Sequence, residues 1–448
     1  MSFTQIRILT VCVASWLSLL AAQADLPFRN HRYDLFKVLP VRSDNIVFVG
    51  NSITNMHEWW EAFDNPLILN RGVSGAVSDE MLANLDGIAQ GQPAKIFLMI
   101  GTNDLGTEGL NNSAHVAANV RRALNLIKER SPHTQIYIQS ILPTHAGIRT
   151  VALEKETNDS LRRISAEVGA TYIDLWDDLL PVEQEDTCYT LDGLHLQAVA
   201  FRTWCRRIAP YVGSPCIYPV EASNNCCGLT RSTGMRASIF AMLPVRADDV
   251  LFVGDDMLNG MEWHELLHSP QMKRRATGWG YSTVGAEVSE AMLCGILHGR
   301  PDNACPAQIF FYTGMADLRA SKNVETTIAR YLQMLHQARV LAPKAELCVM
   351  SLLPTGDTQF NAGTVEPFNT RLSELTAKLP GTRYIDCYTP FIREGVADTS
   401  CIKANYVYGL GYARLSERLA PVIKAQVRPT TEAEAAKDYA AYGRKQSH

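Results

Sequence analysis

The first half of the chain alternates short apolar runs with longer amphipathic stretches. Five runs are rich in β-branched residues and have the length of buried strands: NIVFVG, LILNRG, KIFLMIG, QIYIQSIL and TYIDLW. Between them, NSAHVAANVRRALNLIKERSP places Val116, Val120, Leu124 and Ile127 on one helical face. Strands that alternate with helices in this way predict a parallel sheet covered by helices on both sides.

The same pattern returns in the second half of the chain. RYDLFKVLPVRSDNIVFVG (32–50) is matched by RASIFAMLPVRADDVLFVG (236–254), and KIFLMIGTNDL (95–105) by QIFFYTGMADL (308–318). Further matches, such as SILPT with SLLPT, keep the same order and spacing. We therefore predict a tandem duplication, with one α/β unit in each half and intramolecular pairing of the two repeats.

We predict that the two units span residues 25–212 and 235–425. The composition of the remaining segments indicates what they are. Residues 213–234 carry Gly, Pro, Ser and Asn and read as a linker, and the polar tail 426–448 is expected to be loosely ordered. Residues 1–24 combine Arg7, an apolar run and a final Ala-Gln-Ala, which is the pattern of a cleaved signal peptide. We expect export to the periplasm or the extracellular space, with no membrane association after cleavage.

Charge and cysteine content narrow the class of protein. The formal net charge of the 448 residues is −4, which argues against a nucleic-acid partner because such proteins need a basic surface to neutralise phosphates. Cys12 leaves with the signal peptide and ten of the 11 cysteines remain, seven of them beyond residue 220. An even number of cysteines in an exported chain favours disulfides, although buried free thiols are the alternative.

Polar residues follow the predicted strands of the first unit, where ligands of parallel sheets bind. Ser52 follows the first strand, and Asp192 and His195 are close enough in sequence to share one turn. A serine nucleophile needs a base and a group that orients the base, which predicts Ser52, His195 and Asp192 in those roles. The backbone N–H groups of Ser52 and Gly72 and the side-chain amide of Asn103 are the candidate oxyanion donors.

These residues stand in four ordered blocks, GNSIT, NRGVSG, GTND and DGLHL, which resemble the SGNH or GDSL hydrolase family over residues 40–212. Asn51 is the one departure, since the family usually carries Asp before the serine. The resemblance implies a flavodoxin-like three-layer α/β/α fold and hydrolysis of acyl esters without a metal or other cofactor. Within the family, these sequence blocks are most similar to those of bacterial acetylesterases near platelet-activating-factor acetylhydrolases and sialate O-acetylesterases. That branch implies acetyl esters of glycans, such as O-acetylated sialic acid, as substrates.

The second unit lacks this set of residues. By sequence alignment Ser52 corresponds to Asp256, Asn103 to Ala316 and His195 to Tyr406. The other two positions, Asp192 and Gly72, fall on Lys403 and on Thr283 or its neighbour. We therefore predict that the second unit is a pseudoenzyme that acts as a scaffold.

Three alternatives compete with this interpretation. The chain could be a lysophospholipase- or thioesterase-type lipid acylhydrolase, or a glycan-binding protein without turnover. HELLH, from His264 to His268, also matches a zinc-binding pattern, with Glu287 and Glu290 as candidate third ligands. Because this segment aligns with a short helix of the first unit and is followed by Ser269-Pro270, we expect no metal there.

Overall fold

The computed structural model describes residues 28–219, 231–278, 285–297, 305–321, 323–403 and 406–445. The predicted signal peptide lies outside the described residues. Two five-stranded parallel sheets organise the chain, one in each half. The first sheet consists of β1 (Ile46–Gly50), β2 (Ile68–Gly72), β3 (Lys95–Met99), β4 (Gln135–Gln139) and β5 (Thr171–Ile173). The second consists of β6 (Val250–Gly254), β7 (Met272–Ala276), β8 (Gln308–Tyr312), β9 (Glu346–Met350) and β10 (Thr382–Ile385).

Both sheets have the same strand order. The first runs β2-β1-β3-β4-β5 and the second runs β7-β6-β8-β9-β10, which is the flavodoxin-like order with its switch point beside the first strand. The pairing registers also agree, since Gly50 pairs with Gly72 in the first sheet and Gly254 with Ala276 in the second. The two flavodoxin-like α/β domains are confirmed, whereas the duplication that would explain them stays a prediction.

Helices cover both faces of each sheet. Those of the first domain are α1 (28–36), α2 (Ser52–Asn55), α3 (Trp59–Ala62), α4 (Ser78–Ala83), α5 (Asp86–Gln90), α6 (Thr102–Leu105), α7 (Ser113–Arg130), α8 (Val151–Val168) and α9 (Ala198–Val212). Those of the second half are α10 (Arg231–Met242), α11 (Asp256–Asn259), α12 (Trp263–Leu266), α13 (Ala286–Leu297), α14 (Met315–Ser321), α15 (Val324–Leu341), α16 (Thr358–Phe360), α17 (Glu366–Thr376), α18 (Gly409–Leu419) and α19 (Glu432–Lys445). No helix among these described segments is long and apolar enough to cross a membrane.

Helix α7 packs with its apolar face against the first sheet, as its amphipathic pattern predicts. Val116, Val120, Leu124 and Ile127 are all buried, and the helix is capped at its N-terminus by Asn112, whose side chain accepts the backbone N–H of Ala114. Lys128 and Arg130 lie in its last turn, where positive charge is favourable. This helix covers one face of the first sheet, so the sheet edge that carries the polar residues is held on a rigid layer.

The ends of the domains differ in part from the prediction. Residues 220–230 of the predicted linker lie outside the described residues, and helix α10 already begins at Arg231, before the predicted end of the linker at residue 234. The tail is not loose, because α19 packs on α18, Ala435 is fully buried and Tyr439 donates a hydrogen bond to Asp34. Scattered alanine and tyrosine positions gave α19 an apolar face that the polar composition of the tail concealed.

The expected disulfides are absent from the described part of the chain. All eight cysteines in it are free thiols, whereas Cys226 and Cys227 lie outside the described residues. Cys348 and Cys387 fit the alternative of buried free thiols, because both are buried in the second domain and pack as small apolar side chains. Burial raises the pKa of each of these thiols to about 12, so neither is a reactive thiolate at neutral pH.

The two domains contact each other through equivalent faces that carry buried ion pairs. Arg71, next to the last residue of β2, donates two hydrogen bonds to Glu265, at 2.8 and 2.7 Å. Arg275, at the same place in β7, donates two to Glu61, each at 2.8 Å. Trp60 and His264 stack on each other between these pairs, with ring centroids 4.7 Å apart. Each domain thus offers the same face to the other, as in a twofold dimer.

Candidate active site

Ser52 lies at the carboxyl end of β1, in the tight turn that leads into α2. The side-chain oxygen of Asn51 accepts the backbone N–H of Ile53 at 3.0 Å and so caps this short helix. A Cβ atom at Gly50 would lie 2.6 Å from the carbonyl oxygen of Met99, so the turn requires glycine. The Ser52 hydroxyl is therefore presented at the edge of the sheet by a rigid, capped turn, and Asn51 performs the capping that Asp would perform.

The structure brings Ser52, His195 and Asp192 together as the sequence predicts. Ser52 Oγ lies 2.9 Å from His195 Nε2, and His195 Nδ1 lies 2.8 Å from Asp192 Oδ2. Since the carboxylate accepts Nδ1–H, Nε2 is left to accept the serine proton. Burial alone would raise the pKa of Asp192, but hydrogen bonds from the ring and backbone of His195 lower it to about 2. Asp192 is thus a carboxylate throughout the neutral range.

Asn103 is placed by a second tight turn, after β3. Gly101, with φ of +121°, precedes α6, and the Asn103 side-chain amide donates to the carbonyl oxygen of Ala76 at 2.9 Å. This bond uses one of the two amide protons and fixes the direction of the other. Asp104 accepts the backbone N–H of Ser78 at 3.0 Å and also its hydroxyl, so it supports the turn.

The prediction that Gly72 supplies an oxyanion donor is wrong. Its N–H donates to the side-chain oxygen of Asn70 at 2.9 Å, so it is already occupied. Gly72 serves close packing instead, because a Cβ atom there would lie 2.3 Å from the backbone nitrogen of Asn55. Gly75, in the same block, has φ of +77° and precedes the Ala76 carbonyl that holds Asn103. Among the described residues no acceptor takes the Gly75 N–H.

A loop after β4 holds the segment that carries His195. The backbone N–H of His145 donates to the carbonyl oxygen of Gly193 at 2.8 Å, while the imidazole of His145 stays exposed, 3.7 Å from Glu185. The preceding residue, Thr144, donates its hydroxyl to the buried carboxyl group of Glu154 at 2.6 Å. Sequence reasoning missed Glu154, which carries no motif and is recognisable only by its burial.

Replacing Glu154 by glutamine is expected to stabilise the protein at alkaline pH. Burial raises the pKa of Glu154 from 4.5 to about 7, so the folded protein holds the proton more tightly than the unfolded chain does. Its contribution to stability therefore falls as the pH rises from 4.5 through 7. We expect Glu154→Gln to raise the free energy of unfolding by about 2 kcal/mol at pH 8, and by less than about 1 kcal/mol at pH 5.

Urea denaturation at the two pH values measures this difference. The second domain shows that an amide fits the role, because the side-chain oxygen of Asn361 accepts both the N–H and the hydroxyl of Thr355, at 2.8 and 2.9 Å. An equal change in stability at pH 5 and pH 8 would contradict a titrating Glu154.

The equivalent site of the second domain carries different chemistry. Asp256 takes the place of Ser52, and the Tyr406 hydroxyl donates to Asp256 Oδ2 at 3.2 Å, where His195 would stand. The strand register places Ala276 opposite Gly254, so the alignment of Gly72 with Thr283 is wrong, and Thr283 itself lies outside the described residues. The cavity beside Asp256 and Tyr406 is small, at about 30 Å³.

The residues of the zinc-like HELLH pattern contact three different partners. The ring of His264 stacks on Trp60, the Glu265 carboxylate accepts Arg71, and His268 Nδ1 lies 3.0 Å from the backbone oxygen of Arg428. Helix α12 ends at Leu266, before His268. Within the described ranges no group of three or more His, Cys, Asp or Glu side chains is placed to hold a metal ion. The pattern therefore serves the domain interface.

Comparison with known proteins places this site in a family. Residues 48–202 match the model of the GDSL-like Lipase/Acylhydrolase family. Platelet-activating factor acetylhydrolase IB subunit alpha2 of Homo sapiens and of Rattus norvegicus are each 23% identical to this chain over 191 residues, covering 41% of this chain and 80% of the relative.

Solved structures that are similar to this chain include a GDSL-like lipase from Bacteroides thetaiotaomicron. It is 20% identical in sequence and superimposes with a TM-score of 0.36, and the match covers 42% of this chain and 98% of that one. A carbohydrate esterase family 3 protein from Talaromyces cellulolyticus is 16% identical, with a TM-score of 0.32, covering 38% and 96%. The region of the chain that carries Ser52, Asn103 and His195 thus matches the GDSL-like lipase/acylhydrolase family, and the chain is a carboxylic ester hydrolase.

Proposed function

We propose that the chain is an exported serine esterase that removes small acyl groups, chiefly acetyl groups, from carbohydrates such as O-acetylated sialic acid. The observation that carries this proposal is the continuous chain of contacts from Ser52 Oγ through the His195 ring to Asp192, at 2.9 and 2.8 Å. A serine hydroxyl, an imidazole and a carboxylate in this order are the parts that acyl transfer requires.

In this mechanism Ser52 Oγ attacks the ester carbonyl while His195 Nε2 takes the serine proton. Asp192 keeps the imidazole in the required tautomer and stabilises the imidazolium that forms. His195 then donates the proton to the leaving alcohol oxygen as the C–O bond breaks, which leaves an acyl-serine. Water, deprotonated by the same imidazole, attacks this acyl group, and the carboxylic acid and free Ser52 are released.

Three donors are proposed to stabilise the oxyanion of the tetrahedral intermediates. They are the backbone N–H of Ser52, the second amide proton of Asn103 and the backbone N–H of Gly75, which replaces Gly72 in this role. Support for Gly75 comes from its place in the turn directly before Ala76, the residue whose carbonyl holds Asn103. Fixed donors of this kind stabilise the charge that develops in the transition state without reorganisation.

The preference for acetyl groups rests on relatives and resemblance. The relatives that match over 191 residues are named acetylhydrolases, and the sequence blocks resemble acetylesterases of glycans. The signal-peptide pattern of residues 1–24 supports the proposal that this esterase acts outside the cytoplasm. The second domain is proposed to be non-catalytic, since Asp256 and Tyr406 stand where Ser52 and His195 would be needed.

Initial rates on esters of increasing acyl length test the proposal. We expect kcat/KM to be highest for p-nitrophenyl acetate, to fall by about 10-fold or more for the octanoate, and acetate to be released from O-acetylated sialic acid. A preference for octanoate would favour a lipid acylhydrolase instead. Absence of turnover on every ester by the folded protein would favour a glycan-binding protein.

A further inference from the structure

The first helix of each half contacts a helix of the other domain: α10 contacts α9, and α1 contacts α18. Helix α10, which leads into the second domain, packs on α9 of the first domain. There the Ser238 hydroxyl accepts the backbone N–H of Ala198, the first residue of α9, at 3.0 Å. The same hydroxyl donates to the carbonyl oxygen of Met235 at 2.7 Å, which leaves its lone pairs directed at Ala198. Ser238 is fully buried in this position.

A reciprocal contact occurs at the second domain. The carboxylate of Asp34, in α1, accepts the backbone N–H of Gly409, the first residue of α18, at 2.9 Å. Helices α9 and α18 are equivalent, since each begins three residues after the position of His195 or Tyr406. Neither helix is capped by its own preceding side chain. Each domain therefore supplies the N-terminal cap that the other domain's helix lacks.

Only one of these two caps adjoins the proposed catalytic residues. The segment from Asp192 to His195 lies just before α9, which begins at Ala198, and the backbone N–H of Gln197 donates to the carbonyl oxygen of Tyr189 at 2.7 Å. The Ser238 bond to Ala198 fixes the next residue along the chain. The backbone segment that follows His195 is thus held by one bond within its own domain, at Gln197, and by one bond from the second domain, at Ala198.

We propose that Ser238 is a positioning residue for His195, so that the second domain activates the esterase site of the first by capping α9. This inference rests on the proposed function of Ser52 and His195. Loss of a cap loosens the first turn of a helix, and small displacements of a base relative to a nucleophile lower the rate of the chemical step strongly. The effect should fall on kcat, because Ser238 is buried away from the surface that a substrate reaches.

The test compares Ser238→Thr with Ser238→Val in the full chain. These two side chains have the same shape, and only threonine keeps the hydroxyl that caps Ala198. We expect the valine variant to have a kcat about 10-fold below that of the threonine variant, with KM within about 2-fold. Asp34→Ala is the matched control, because it removes the reciprocal cap on α18 and should leave kcat within about 2-fold.

Equal kcat values for the threonine and valine variants would overturn the proposal, and so would an equal loss of activity in Asp34→Ala. Hydrogen exchange gives a readout that does not depend on turnover: the peptide that spans 189–205 should exchange faster in Ser238→Val, but not in Asp34→Ala. Failure of the proposed function is distinguishable, because the unmutated protein would then lack turnover while this difference in exchange persisted.

Discussion

Replacing Ser52 by alanine is expected to lower kcat for acetyl-ester hydrolysis by about 10⁴-fold or more. The serine hydroxyl lies 2.9 Å from His195 Nε2 and is the nucleophile of the proposed mechanism, so its removal leaves the base without a proton to take. The thermal midpoint should change little, because the capping of α2 is performed by Asn51 and not by Ser52. Steady-state rates on p-nitrophenyl acetate, with circular dichroism to check folding, measure both quantities.

Asp256→Ala is the matched control for this experiment. Asp256 holds the equivalent position after β6 and accepts the Tyr406 hydroxyl, and we expect its replacement to leave kcat/KM within about 2-fold. Retention of more than about a tenth of the activity in Ser52→Ala would exclude Ser52 as the nucleophile. Loss of activity in Asp256→Ala would instead mean that the second site takes part in the reaction.

The sequence was sufficient to locate the candidate catalytic residues, because the position of each depends on local structure. Ser52 and Asn103 directly follow strands whose apolar runs are unambiguous, and parallel strands bring their carboxyl ends to one edge. Asp192 and His195 lie within one turn, so their contact needs no long-range information. Asp104 is also held locally, since its carboxylate accepts the backbone N–H of Ser78 and so supports the turn that carries Asn103.

The acceptor that each backbone N–H binds could not be predicted from the spacing of residues in the sequence. Gly72 and Gly75 stand in one block, and only the structure shows that Asn70 folds back to take the Gly72 N–H. The caps of α9 and α18 were equally hidden, because Ser238 and Ala198 are 40 residues apart and belong to different domains. Such contacts depend on how the two domains pack against each other, and this packing cannot be predicted from amino-acid composition.

The interface between the domains is unusual in burying many charges, and its pairing explains how these charges are tolerated. Glu58 accepts Arg236 at 3.0 Å and Arg274 at 2.9 Å, while Arg32 donates to Glu262 at 3.0 Å. Burial would raise the pKa of Glu58, but Arg274 and Arg236 hold it at about 2. Glu58 thus contributes stability above pH 4.5 that is lost as the pH falls towards 2. A charge in this layer is stable only while its partners in the other domain stay in place.

Removing one partner from this layer is expected to destabilise the protein strongly. Glu61 is nearly fully buried and receives two hydrogen bonds from Arg275, so Glu61→Ala leaves a buried guanidinium without its carboxylate. We expect the free energy of unfolding, measured with urea at pH 7, to fall by about 3–5 kcal/mol. Asp64→Ala is the control: Asp64 also pairs across the interface, with Arg246, but both side chains are 49% exposed, so the loss should be below about 1 kcal/mol.

The double variant Glu61→Leu with Arg275→Met separates the cost of an unpaired charge from the value of the pair. Two apolar side chains of similar size leave no charge to be solvated, so we expect the double variant to lie within about 2 kcal/mol of the unmutated protein. Lys273, 3.8 Å from Glu61, keeps Asp249 at 3.9 Å as a second partner. A double variant as unstable as Glu61→Ala would show that the ion pair itself holds the domains together, rather than the packing around Trp60 and His264.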